Sequence, residues 1–185
     1  MEKIGNLDFA QQATSEKYTG IPYVKLDCQA FVEEVIKDCG IRKSNGTVYN
    51  YRGSNDMYRN MCTWTGTIEE AREKFGSIPP GSIAFIVKHD GGEVERGYND
   101  GRGNASHVGI VTVKPVNSVR DSTRSTKTKR DGVGYRPLTD FSHIGLARMI
   151  EYNIDNATVT PSNDKTEALK ALEILRRYIE RSLEP

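Results

Sequence analysis

The sequence predicts an α+β domain in which N-terminal helices pack on a small antiparallel β-sheet, with a further helix at the C-terminal end. Three observations carry this. Apolar residues recur at helical spacing through residues 28–39 and again through 164–183. Between them, from Ser82 to Ile150, short apolar runs of strand length alternate with turns rich in Gly and Pro. The 185 residues suffice for one domain with a full core and a short appendage. The expected division is a domain over 1–153, a linker over 154–163 and an amphipathic helix over 164–185.

Taken in order, Phe9, Ala10 and Tyr18 among polar neighbours suggest a short helix at the domain edge, followed by a turn at Gly20-Ile21-Pro22-Tyr23. The best-patterned helix comes next. Phe31, Val32, Val35, Ile36 and Cys39 share one face, and Glu33, Glu34, Lys37 and Asp38 the other. Asp27 is positioned to cap it and Gly40 to stop it in a left-handed conformation. Cys28 therefore heads the helix, at the positive end of its dipole, where thiolate is favoured over thiol. Ser54 reads as the cap of a helix carrying Met57, Tyr58, Met61 and Cys62. Thr67-Ile68-Glu69-Glu70 reads as a capping box opening a second short helix that stops at Gly76. These segments form an expected helical wall.

The period then changes to two. Ser82–Val87 is a strand after the Pro79-Pro80-Gly81 turn, the glycine-rich stretch 93–104 a mobile rim, and Ser106–Val113 a second strand started by His107. Residues 116–122 are its expected hairpin partner. The basic run Arg124–Arg130 reads as a solvated loop, with a grip on anionic polymer as the other reading. Residues 141–150 look like the strand that closes the sheet. The C-terminal helix, with Leu169, Leu172, Leu175, Ile179 and Leu183 in register, either packs on the domain or pairs two copies of the chain.

Composition narrows the function. Lys and Arg total 26 against 25 Asp and Glu, a net charge of +1, so no global field points to nucleic acid or an anionic membrane. The mean hydropathy of −0.60 and the lack of a long apolar run argue against a membrane span. Residues 1–18 do not read as a signal peptide. Three cysteines make neither a disulfide framework nor a metal-binding pair, and neither metal nor cofactor is expected. Cys28 and Cys39 stand roughly 16 Å apart on one helix at about 1.5 Å per residue, too far to bridge.

A helix-borne Cys followed, many tens of residues later, by a His opening a strand is the order of papain-like chemistry. Pro22-Tyr23, Asp27-Cys28-Gln29-Ala30-Phe31-Val32, Gly81-Ser82-Ile83-Ala84-Phe85 and Ser106-His107-Val108-Gly109-Ile110 occur in the order and spacing of the NlpC/p60 cell-wall cysteine peptidases, which residues 18–152 resemble. The resemblance implies a papain-like fold and an endolysin-like peptidoglycan hydrolase, cutting stem peptides after γ-D-glutamate without metal. It implies Cys28 as nucleophile and His107 as base. The third residue, commonly His in the family, falls on Asp121, expected to accept the Nδ1–H of His107. Tyr23, Asp27 and Ser106 would bind substrate, and the Cys28 N–H would meet the oxyanion. Tyr23 has a second reading, as a tyrosine half-buried under a loop.

Ser142-His143-Ile144-Gly145-Leu146 repeats the pattern around His107, which makes His143 the competing base. His107 is favoured because it follows the glycine-rich rim, as in the family. His89, beside a Gly-Gly turn, is expected to be exposed. Amidase activity on the muramoyl–alanine bond and a silent wall-binding or virion module are the competing functions. The peptidase reading implies synthesis in the cytoplasm and access to the wall after lysis or virion delivery.

Overall fold

Strand Ile83–Lys88 has apolar side chains on both faces, with Ile83, Phe85 and Val87 in one core and Ala84 and Ile86 in another. Alternation that is apolar in both phases requires cover on both sides of a sheet. The computed structural model describes residues 3–126 and 129–152, all within the unit spanning residues 1–155. In chain order these form β1 (Ile4–Gly5), α1 (Asn6–Ala13), a 3₁₀ turn (Glu16–Tyr18), α2 (Cys28–Asp38) and α3 (Ser54–Asp56), which runs into a π-helical turn (Met57–Met61). Then come β2 (Cys62–Thr67), α4 (Ile68–Phe75), β3 (Ile83–Lys88), α5 (Gly92–Glu95), β4 (Asn104–Val111) and β5 (Ser118–Ser125). β6 (Arg130–Pro137), a 3₁₀ turn (Leu138–Asp140), β7 (His143–Ala147) and β8 (Ile150–Glu151) complete them. The architecture is α+β.

Six strands form one antiparallel sheet in the order β2-β7-β3-β4-β5-β6, and β1 pairs with β8 in a separate parallel ladder. On one side, Phe9, Tyr18, Phe31, Val32, Val35, Ile36, Met57 and Met61 pack with Phe85, Val108 and Ile110. Phe31, Val32, Val35 and Ile36 of α2 are almost fully buried, and each contributes about 1.5–3 kcal/mol of hydrophobic stabilisation. On the other side, Ile68 and Ala71 of α4 cluster with Val111, Val119, Leu138, Phe141 and Ile144. The expected capping box of α4 is present, with Glu70 N donating to Thr67 Oγ1 and Thr67 N donating to Glu70 Oε2.

Several expectations are corrected. Phe9, Ala10 and Tyr18 lie in the core, not at its edge. Gly53, at φ 90°, replaces Ser54 as the residue preceding α3, while the Ser54 hydroxyl donates to Ala105 O at 2.5 Å. Cys62 opens a strand, because Thr63, Thr65 and Thr67 at two-residue spacing favour an extended chain. The strand over 143–147 is internal, between β2 and β3. The rim contains α5 and is tied down: Arg59 donates to both carboxylate oxygens of Asp100 at 2.7 Å and to Gly103 O. The two ends of the basic run are strand, since β5 continues to Ser125 and β6 begins at Arg130, with Thr126 and Lys129 in turn conformation between them and an Arg124–Asp131 ion pair across the hairpin at 3.5 Å. The expected linker and C-terminal helix lie outside the described residues.

Candidate active site

Asp27 adopts an extended backbone, and its Oδ1 accepts from Ala30 N at 2.8 Å, starting α2 at Cys28. The cap is worth about 1 kcal/mol and leaves the N–H of Cys28 with no acceptor within the helix. The preceding turn is fixed from β5 and β6. Ser122 Oγ donates to Leu26 O, and Tyr23 N donates to Asp131 Oδ1 at 2.9 Å. Gly132, at φ 113°, permits this approach, because a Cβ there would stand 2.1 Å from Ile21 O.

β4 and β5 are laddered at Ile110–Arg120 and Val111–Val119. Beyond those pairs, His107 and Asp121 meet through their side chains. His107 Nε2 lies 2.5 Å from Asp121 Oδ2, so the expected Nδ1 contact is corrected to Nε2. That leaves Nδ1 as the nitrogen open to Cys28, which hydrogen-bonds to His107. Burial alone lowers the basicity of His107, but its hydrogen bonds to Asp121 and Cys28 and their charges outweigh it, holding the imidazole up at about 9. Near neutral pH it is an imidazolium between a sulfur and a carboxylate.

Asp121 is fully buried. Its Oδ1 accepts from Arg130 Nη2 at 2.5 Å, and its Oδ2 lies 3.4 Å from Arg136 Nη1. Sequence reasoning missed both arginines. The readable signal was Gly132 and Gly134 at two-residue spacing after Arg130, which leaves one strand face bare. Gly134 stands opposite Asp121, and a Cβ there would come within 2.9 Å of Arg130 Cδ.

Tyr23 reaches the thiol, as the first of its two readings expected. Burial, followed by the charges of Cys28 and Asp27 and a hydrogen bond to Cys28, pushes its hydroxyl up to about 12, so it remains a protonated donor. The other thiols are silent. Burial raises Cys39 to about 11 and Cys62 to about 12. Cys39 sits at the half-buried end of α2, against the core that it was expected to join.

A cleft of about 270 Å³ opens beside Cys28, and Asp27, Gln29, Asn55, Arg96 and Ser106 line it. Asp27 and Ser106 were expected there. Ser106 is exposed and bonds Ile86 O at 3.2 Å. Gln29, Asn55 and Arg96 were not anticipated, because they come from separate segments that only folding assembles. The Arg96 backbone N–H donates to Glu93 O at 3.2 Å, while its guanidinium makes no hydrogen bond or ion pair among the described residues. Larger hollows lie at Lys3, Cys39 and Arg42, about 650 Å³, and along the β5–β6 hairpin, about 1150 Å³. Neither has a nucleophile with a base.

His143 is elsewhere. Its Nδ1 lies 3.0 Å from Ser142 Oγ, its ring meets Tyr58 edge-on, and burial lowers its basicity. His89 is exposed. Among the described residues no His, Cys, Asp and Glu cluster is arranged to hold a metal, and no helix is long and apolar enough to cross a membrane. Cys28, His107, Asp121 and Tyr23 are thus brought together, with a polar cleft at the thiol. Comparison with known protein families, with curated proteins and with solved structures finds no match.

Proposed function

We propose that the chain is a papain-like cysteine peptidase of the NlpC/p60 kind that hydrolyses peptidoglycan stem peptides, with the bond after γ-D-glutamate as target. The observation that carries this is the relay at the head of α2, in which Cys28 acts on His107 and His107 Nε2 bonds to the buried Asp121. The Cys28 sulfur attacks the amide carbonyl, and its proton resides on His107. The negative oxygen that forms is stabilised by the free N–H of Cys28. The imidazolium then protonates the departing amine, leaving a thioester. Water, deprotonated by His107, adds to the thioester and expels the sulfur, releasing the acid and restoring the Cys28–His107 pair with the proton on the imidazole. Arg96 supplies the cleft's unpartnered cation for a substrate carboxylate.

Digestion of purified diaminopimelate-type and lysine-type peptidoglycan, with wild type beside Cys28→Ala, tests the proposal. Mass spectra should show peptides cut after γ-D-glutamate with wild type only. Products with a free L-alanine amine would transfer the activity to the muramoyl–alanine bond. Absence of any product, with equal sacculus binding by both proteins, would replace the enzyme with a wall-binding or virion module.

A further inference from the structure

We propose that Arg130, supported by Arg136, is a positioning residue that compensates the charge of Asp121, letting this carboxylate orient His107 without standing behind it as a lone anion. This rests on the Cys28–His107 reading of the site, but not on the identity of the substrate.

The geometry is specific. Arg130 begins β6 in register with Ser125, four residues beyond Asp121, yet its guanidinium lies over Gly134 and ends on Asp121 Oδ1. Its other terminal nitrogen donates to Tyr135 O at 3.0 Å, which fixes the plane of the fork. Arg136, in register with Val119, bridges Asp121 Oδ2 at 3.4 Å and Asp140 Oδ2 at 3.1 Å. Each oxygen of a fully buried carboxylate therefore has a cationic donor, and one is shared with the imidazole.

A buried carboxylate with only the imidazole for partner would be strongly disfavoured as an anion. It would either protonate, and stop accepting from Nε2–H, or bind the imidazolium so tightly that His107 became a poor acid toward a leaving amine. Pairing with Arg130 removes both outcomes. The titratable and charged groups facing the relay are Cys28 from α2, Tyr23 and Asp27 from the preceding turn, Asp121 and Arg124 from β5, and Arg130 and Arg136 from β6; Asp140 acts through Arg136. Phe141 covers the imidazole with an uncharged ring, its centroid 6.0 Å away.

The test is the pH dependence of Cys28 alkylation by iodoacetamide in the full chain, which requires no wall substrate. The upper transition, where the imidazolium loses its proton, should rise by about half a pH unit or more in Arg130→Met. In Arg130→Lys it should stay near the wild-type position. Asp121→Asn, which strands the arginines beside the imidazole, should lower it, and Asp121→Asn with Arg130→Met should return it toward wild type. An upper transition unmoved in a folded Arg130→Met protein would overturn the proposal. If Arg130→Met does not fold, the double variant decides: a cooperative thermal melt regained in the double variant supports compensation, and equal loss of structure refutes it. A protein that released no wall peptide would defeat the hydrolase reading while leaving these profiles to stand or fall alone.

Discussion

The chain contains the same short pattern twice, Ser106-His107-Val108-Gly109-Ile110 and Ser142-His143-Ile144-Gly145-Leu146, and the two strands that hold it flank β3 on opposite sides. The histidines nevertheless have opposite character. His107 is pushed up to about 9, whereas burial lowers His143. What differs is the surroundings. His107 has Cys28 ahead and Asp121 behind, while His143 has a serine hydroxyl and the edge of Tyr58, with Glu70 supplying only a partly offsetting charge. His143 opens β7 and His107 lies inside β4, so the character of each histidine is set by what the neighbouring elements place beside it.

The largest expected difference is catalytic. His107→Ala should lower kcat/KM for wall-peptide release by about 10³-fold or more, as loss of a proton-transfer group does. His143→Ala should stay within about threefold. Equal losses, measured on the same substrate, would dissolve the distinction. Next is stability at the orienting residue. Asp121→Ala leaves Arg130 and Arg136 without their shared anion and should cost about 3–5 kcal/mol, against about 1 kcal/mol for His143→Ala. Denaturant melts read both directly.

The pH dependence of stability should run in opposite directions at the two sites. The native basicity of His107 is raised from 6.5 to about 9. Its contribution, on the order of 3 kcal/mol, is fully present below 6.5 and lost as pH rises through about 9. His143 is lowered from 6.5, so its unfolded form binds protons more readily and stability falls as pH drops below 6.5. Tm profiles should therefore lose their alkaline slope in His107→Gln and their acid slope in His143→Gln. The smallest effect is expected at Tyr23→Phe, about tenfold in kcat/KM through one hydrogen bond. Full activity would return Tyr23 to the half-buried, structural reading.

Much of this was legible in the sequence where local chemistry decides. Asp27, Cys28 and Gly40 define α2 through a cap, a dipole and a stop, and Thr67 with Glu70 defines the start of α4 in the same way. Features set by distant strands were not legible. Thr63, Thr65 and Thr67 carry strand spacing, yet the adjacent Met57, Tyr58 and Met61 suggested that the helix continued. Arg130 read as solvated because a basic run reveals nothing about a carboxylate facing it across a hairpin. Asp121 was readable as an orienting group, but neither the imidazole nitrogen it takes nor the guanidinium that balances it was, since both depend on register.

The most direct measurement is mass-mapped thiol alkylation at near-neutral pH in wild type, His107→Ala and His143→Ala. Burial suppresses Cys39 and Cys62, so label in wild type should fall on Cys28 first. The account predicts that His107→Ala slows Cys28 labelling by about tenfold or more and that His143→Ala leaves it unchanged. Labelling of Cys28 that survived His107→Ala and collapsed in His143→Ala would contradict it.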